Sequence, residues 1–395
     1  MEDIRANGRI LYDSALHITP QAVKRNGLFK ANSIILATSA TIGEHALLLQ
    51  DALTNQRFTN FEIKEELKNI LLPKFAFYYF FIIDEWCKKH TIIGNFPSVD
   101  TQQLMELHFP IPPLRVQARI VEILDKFTQL EAELEAELEA RNKQYDFYRN
   151  RLLDFALRDD LKGQVEWKTL GEVCVHLRTG LNPRRNFKLN TEDASNYYVT
   201  VRELGGTELL YSEKTDLIND EALQLINNRS KLKVNDILFS GTGTIGKTAF
   251  ISKEPTNWNI KEGVYALTLD THYVLPMFVL RYLQTQSTID WIDRMAAGGI
   301  VRSITMKNLE QLPIPLPPLS EQRRIVDILD RFDTLTNSIS EGLPREIALR
   351  RKQYKDLRVA LLLFPQPAPT ACGPPATPFS PCLPSLLHLF CFYHS

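Results

Sequence analysis

The chain has 395 residues, a formal net charge of −1, and 44% apolar, 24% charged and 10% aromatic residues, a balance that excludes a collagenous or wholly disordered chain and allows two ordinary domains. Its five cysteines form no CxxC pair, which excludes a zinc-finger spacing. No apolar stretch reaches the length of a membrane span and no signal pattern opens the sequence, so a reducing, cytoplasmic setting without a membrane partner is expected. Near-neutral charge argues mildly against a nucleic-acid partner, although acidic helices can offset basic faces.

In chain order, KANSIILATSATIGEHA (residues 30–46) reads as two strands around a tight turn. FAFYYFFII (residues 75–83), flanked by Lys74 and Asp84, reads as a buried core helix. PIPPL (residues 110–114) fixes an extended approach. A helix then follows on the stripe Ile120, Leu124, Phe127, Leu130, Leu134, Leu138, Tyr145, Tyr148, Leu152 and Phe155, spaced in threes and fours. LEAELEAELEAR (residues 130–141) is a four-residue repeat of strong helix formers, whose glutamates read as a solvated face.

From about Glu166 the same plan starts again. LMELHFPIPPLRVQARIVEILDKF (residues 104–127) matches LEQLPIPLPPLSEQRRIVDILDRF (residues 309–332), about 205 positions later. RNKQYDFYRNRLLDF (residues 141–155) matches RRKQYKDLRVALLLF (residues 350–364), and residues 30–46 match KVNDILFSGTGTIGKTA (residues 233–249). Three matches in one order define a duplicated unit, a globular segment followed by a long helix. The second helix carries Ile325, Leu329, Phe332, Leu335, Ile339, Tyr354, Leu357, Leu361 and Phe364, with Gly342 and Pro344 breaking it. Each apolar stripe needs a partner, so the two helices are expected to pair antiparallel. The first unit has no counterpart to roughly the first 35 residues of the second. Either the start is misplaced, the gene is truncated, or the missing strands come from elsewhere. An open, less stable first unit is expected. Residues 365–395 hold no Asp, Glu, Lys or Arg and read as a disordered tail.

GTGTIGKT (residues 241–248) fits the P-loop pattern and begins with GxGxxG. The residues after it alternate like a returning strand instead of opening a helix, so no helix N-terminus meets a phosphate. The first copy has Glu44 where the lysine stands. A turn between strands is the better reading. No methyltransferase loop, nuclease-type cluster of carboxylates and lysine, or metal-ligand spacing is evident, and the scattered His17, His45, His90, His108, His176 and His272 suggest no site. No cofactor, metal or catalytic residue is expected. What remains is a set of cations beside glycines in the second unit: Arg178, Arg184, Arg185, Lys188, Arg202, Lys247, Arg302 and Lys307, with Arg294 nearby. LRTGLNPRRNFK (residues 177–188) concentrates four of them, and AAGGIVRSIT (residues 296–305) offers Gly298 and Gly299 before Arg302 and Ser303. Arginines and lysines on loops suit phosphate contacts and base-edge readout, so these residues are the candidate DNA-binding set.

The duplicated P-[IL]-P-P-L…Q…R-I-V…I-L-D…F block, the RKQY segment at residues 351–354 and the WKTLGEV opening of the second unit resemble the specificity subunits of type I restriction–modification systems, over residues 1–364. The resemblance implies an α+β chain with two target-recognition domains (1–113 and 166–318), each reading half of a bipartite double-stranded DNA site. It implies that the helices over 114–158 and 319–364 pair as an antiparallel coiled coil that sets the domain spacing. The repeat at residues 130–141 is similar to one whose copy number sets that spacing in some members. It also implies a non-catalytic subunit that recruits methyltransferase subunits and restriction (helicase–nuclease) subunits. A two-domain protein-binding adaptor and a P-loop ATP-binding protein are the competing readings, distinguishable by neighbouring genes and by ATP binding.

Overall fold

The computed structural model describes all residues except 1, 7, 24–26, 93–96, 297–301, 339–340, 365–383 and 395. The chain forms two compact units, one from Met1–Glu135 with Glu346–Ser395, the other from Ala136–Arg345. In chain order the elements are α1 (Glu2–Ala6), β1 (Ile10–Leu11), β2 (Ile34–Ala37), β3 (His45–Leu48), β4 (Phe58–Ile63), α2 (Pro73–Lys89), β5 (Thr91–Ile92), β6 (Ser98–Val99), α3 (Thr101–Met105) and the long α4 (Leu114–Leu153). Then come β7 (Glu166–Thr169), α5 (Leu170–Val173), β8 (Cys174–Thr179), α6 (Pro183–Asn186), β9 (Asn196–Val199), β10 (Leu217–Ile218), α7 (Asp220–Arg229), β11 (Ile237–Ser240), β12 (Thr248–Phe250), β13 (Trp258–Ile260) and β14 (Val264–Leu269). The chain continues through α8 (Pro276–Leu283), α9 (Gln286–Met295), α10 (Met306–Leu309), β15 (Pro313–Leu316), α11 (Leu319–Asn337), α12 (Gly342–Leu362), α13 (Leu386–Leu389) and β16 (Phe390–His394).

In the first unit, a sheet in the order β1-β3-β2-β4-β16 packs one face on α2. Pro73 starts α2, where its missing N–H costs nothing. Phe75, Phe80, Ile83 and Cys87 are buried against Ile34, Leu36, Leu47 and Phe61 of the sheet. Ile35, Ala46, Leu48 and Phe58 point to the opposite face with Ile4 and Leu11, as the period of two requires. Leu114–Glu135 of α4 adds Ile120 and Leu124 to the α2 side, and α12 lies along the same stretch. There Phe127 stacks on Tyr354 at 6.3 Å between ring centroids, and Arg351 pairs with both Glu131 and Glu135.

The second unit repeats this plan. Its sheet runs β12-β11-β14-β8, with Ile237, Phe239, Tyr265 and Leu267 facing α8 and α11. Leu238, Ala249, Val264 and Ala266 face the other way, toward Val199 and Ile260 of a smaller sheet, β10-β9-β13. Tyr148 of α4 meets Phe332 of α11 at 5.6 Å. The buried Arg281 of α8 binds Asp330 at 2.7 Å, Asp333 at 3.0 Å and the Tyr145 hydroxyl at 2.9 Å. Matching glutamines show why the repeated block is spelled as it is. Gln117 donates to the carbonyls of Ile70 and Pro112 and accepts from Leu72 N–H. Gln322 does the same with Tyr273, Pro317 and Leu275. Both side chains are fully buried, so breaking any of these bonds would leave an unpaired polar group.

The second helix is interrupted where Gly342 and Pro344 lead one to expect it: α11 ends at Asn337 and α12 begins at Gly342. One expectation changes. The tail expected to be disordered from residue 365 lies outside the described residues over 365–383. Beyond that it is folded, because α13 and β16 pack in the first unit and β16 pairs antiparallel with β4. The edge that was expected to stay open is thereby covered.

Candidate nucleic-acid interface

Four turns of the second unit meet around one cleft, lined by Pro183, Leu189, Arg202, Thr242, Lys261 and Glu262 among others. The first turn leaves β8 at Gly180. A Cβ there would lie 1.7 Å from the Ile260 carbonyl oxygen, so only glycine lets the two backbones touch. Leu181 then bridges Lys261, and the Tyr198 hydroxyl donates to the Leu181 carbonyl at 2.6 Å. This anchors the base of the loop that carries Arg184 and Lys188, both exposed. Neither has a side-chain partner among the described residues. The Arg185 side chain lies outside the described residues.

The P-loop-like segment is the hairpin turn between β11 and β12, which pair antiparallel. The hydroxyls at its two ends are used internally: Ser240 donates to the Thr244 carbonyl at 2.6 Å, and Thr248 to the Gly206 carbonyl at 2.7 Å. Thr248 opens a strand, so the turn offers no helix N-terminus to a phosphate, and the hydroxyl that follows Lys247 is already donated. Lys247 is exposed, with no side-chain partner among the described residues. Gly241 packs where a Cβ would stand 2.2 Å from the Tyr265 ring. Gly243 N–H donates to the Arg302 carbonyl at 3.0 Å and Ile304 N–H to that of Gly241 at 2.9 Å. These bonds seat residues 302–304 beside the turn.

The eight candidate cations therefore divide. Arg184, Lys188, Lys247 and Lys307 are exposed and unpaired among the described residues. Arg202 lines the cleft about half exposed and binds Asp216 at 2.6 Å. Arg302 pairs with exposed Asp293 at 3.0 Å. Both pairs are accessible enough to exchange a carboxylate for a phosphate at small cost. Arg178 is engaged within the fold. Its guanidinium binds the fully buried Asp236 at 2.7 Å and Thr268 at 2.6 Å, and also donates to the Lys231 carbonyl, so it ties β8, β14 and the approach to β11 together. Gly298 and Gly299 lie outside the described residues. Lys261 lines the cleft and was missed by the sequence reading. It stands between Ile260 and Glu262, two residues before Gly263, with no second cation beside it to mark the loop.

The first unit has the same turn with different chemistry. Ser39 bridges Ser98 as Thr242 bridges Ser303, but Glu44 replaces Lys247 and pairs with Arg5 at 2.9 Å. The Arg5 hydrogen bond holds the Glu44 carboxyl below the usual carboxylate range. Beneath it lies a buried polar group. His45 Nδ1 and Arg9 both reach the same oxygen of Asp84, at 2.7 Å each. Burial pushes the His45 imidazole below its ordinary pKa, so it is the neutral ring, with Nδ1–H donating. Among the described residues no group of His, Cys, Asp or Glu is placed to hold a metal ion, and no helix is long and apolar enough to cross a membrane.

The family model described as the type I restriction modification DNA specificity domain matches residues 4–140 and 163–349, one stretch for each repeat. The chain belongs to that family. It is 35% identical over 352 residues to the type I restriction enzyme EcoprrI specificity subunit of Escherichia coli, covering 86% of this chain and 81% of that protein. It is 38% identical over 264 residues to the EcoR124I/EcoR124II specificity subunit of the same species, covering 65% of this chain and 62% of that protein. A solved chain from work on complex assembly and conformational transition of the type I R-M system matches with a TM-score of 0.60 at 20% identity, over 85% of this chain and 82% of that one; this supports the fold. The chain is thus a type I specificity subunit, a non-catalytic member of its system, as its duplicated motifs implied.

Proposed function

We propose that the chain reads a bipartite double-stranded DNA site, one half with residues 1–113 and the other with residues 166–318. It would hold methyltransferase and restriction subunits on the complex in the cytoplasm. The observation that carries this reading is the duplication itself: one scaffold occurs twice in a specificity-family chain, with Glu44 on one turn and Lys247 on the equivalent turn. Equal frameworks with unequal loop chemistry are what two different half-sites require, since sequence is read by side chains at base edges. Arg184, Lys188, Lys247 and Lys307 supply accessible cations for phosphate or base contacts, with Arg202, Lys261 and Arg302 at or beside the cleft.

The helices would act as the spacer. The pairing of Phe127 with Tyr354 and of Tyr148 with Phe332 runs upward in number on α4 and downward on its partners, which supports an antiparallel coiled coil. Forty residues of α4 extend roughly 60 Å. The test is selection from a random duplex pool by the chain assembled with its methyltransferase. Enriched sequences should carry two short fixed blocks around an unselected spacer. Enrichment of one contiguous block, or of none, would overturn the proposal.

A further inference from the structure

The β4 edge of the first unit is occupied from the far end of the chain, and the way it is occupied reproduces several main-chain bonds of the second unit at equivalent positions. In the second unit, β7–α5–β8 crosses from the proline strand to the sheet edge. Thr169 pairs with Pro313, Leu170 N–H donates to the Leu312 carbonyl at 2.7 Å, and Asp270 N–H donates to the Val173 carbonyl at 2.9 Å. Cys174 then pairs with Leu269 of β14. In the first unit, Ser385 bridges His108, Leu386 N–H donates to the Leu107 carbonyl at 2.8 Å, and Lys64 N–H donates to the Leu389 carbonyl at 3.1 Å. Phe390 then pairs with Ile63 of β4. Even the helix start matches: Thr169 is bonded to Glu172 and Ser385 to His388, each residue to the third one after it. Past this point β8 carries an extra residue, Val175, opposite Thr268/Leu269 of β14, a bulge that the β4–β16 pair lacks.

We infer that the β4 edge is a strand-acceptor site whose occupant is the chain's own segment Pro384–His394, doing for the first unit what residues 168–178 do for the second. Main-chain hydrogen bonds fasten an added strand and alternate side chains select it. Here the selecting side chains are aromatic and aliphatic. Phe390 sits among Phe61, Phe80 and Phe109, with centroids 5.7–5.9 Å away. Leu386 and Leu389 are buried beside it, and Phe392 packs edge-on against Phe61 at 5.2 Å. The two crossing segments share little sequence, TLGEVCVHLR against SLLHLFCFYH, so the acceptor reads apolar spacing and backbone register. An empty β4 edge would expose unpaired N–H and C=O groups and the aromatic floor beneath them. Integrity of the first unit therefore depends on the last dozen residues of the chain.

The register supplies a direct test. Cys391 lies opposite Glu62, and Glu62 is only half-buried, so Glu62→Cys places a thiol across the strand pair without disturbing the core. The full chain would carry this change with Cys372→Ser and Cys382→Ser, and a control would carry Glu65→Cys instead. Residues directly opposite in an antiparallel pair have Cα atoms about 4.5–5.5 Å apart, within disulfide reach, so mild oxidation should link position 62 to Cys391 within a monomer about tenfold more than position 65. Peptide mapping reads the linkage. Equal linkage at both positions would show a loosely tethered tail. Linkage only in covalent dimers would give the edge to a second copy. Either result overturns the inference.

Discussion

Arg178 and Lys188 belong to one cationic run and do different work. Arg178 is mostly buried on Asp236, a partner 58 positions away that no local reading reveals, whereas Lys188 stands exposed on an anchored loop. Arg178→Ala strips a buried carboxylate of its cation and should cost about 3 kcal/mol of stability, measured as a lower denaturation midpoint. Arg184→Ala with Lys188→Ala should leave stability unchanged. For each of the two side chains that binds a phosphate, its removal should flatten the plot of log affinity against log salt by about one unit. An unchanged slope would make both residues bystanders. The run was visible in the sequence as composition; its division into structural and accessible cations needed the fold. His45 was read only as one of several scattered histidines, yet it is fully buried against Asp84. Because its folded pKa is lowered, the unfolded chain takes up a proton that the folded chain refuses once the pH drops below about 6.5. Stability is then lost as pH falls from that point toward the folded value. Denaturation midpoints at pH 7.5 and 5.5 should differ less for His45→Gln than for the parent.

Among elements, the hairpin turns and proline-led helices were the most legible parts, because their signals are local. Glycine spacing without a following helical pattern identified residues 241–248 as a turn, and the structure places 241–247 between β11 and β12, with Thr248 opening β12. Gly241→Ala would drive a methyl into the Tyr265 ring and disturb the Tyr265 hydrogen bond to Ile304. It should weaken DNA binding by loosening residues 302–304, whereas Lys247→Ala should leave the hairpin folded, as judged by hydrogen exchange of β11 and β12 amides. ATP hydrolysis should be absent from the purified chain and unaffected by Lys247→Ala; robust hydrolysis abolished in that variant would restore the P-loop reading. The strand β16 was not legible. A charge-free, proline-rich composition signals disorder, and only the acceptor edge, formed by residues more than 300 positions earlier, gives Phe390 and Phe392 somewhere to go.

At the scale of the whole molecule, the duplication was the most informative feature of the sequence, since three ordered matches need no structure to be seen. What it could not supply was how a single chain divides, with α4 and α12 each contributing residues to both units. If α4 sets the separation of two reading units, one more Leu-Glu-Ala-Glu within residues 130–141 adds about 6 Å of helix and turns its end by about 40°. With base pairs about 3.4 Å apart, the unselected spacer should lengthen by one to two base pairs while both half-sites stay the same. A changed half-site would assign this helix to base readout. The most direct measurement is a genome-wide map of methylated bases in cells expressing this chain with its methyltransferase. The account predicts one chain-dependent motif of two fixed half-sites around a spacer of constant length and no fixed sequence. A contiguous motif, or methylation indifferent to the presence of this chain, would contradict it.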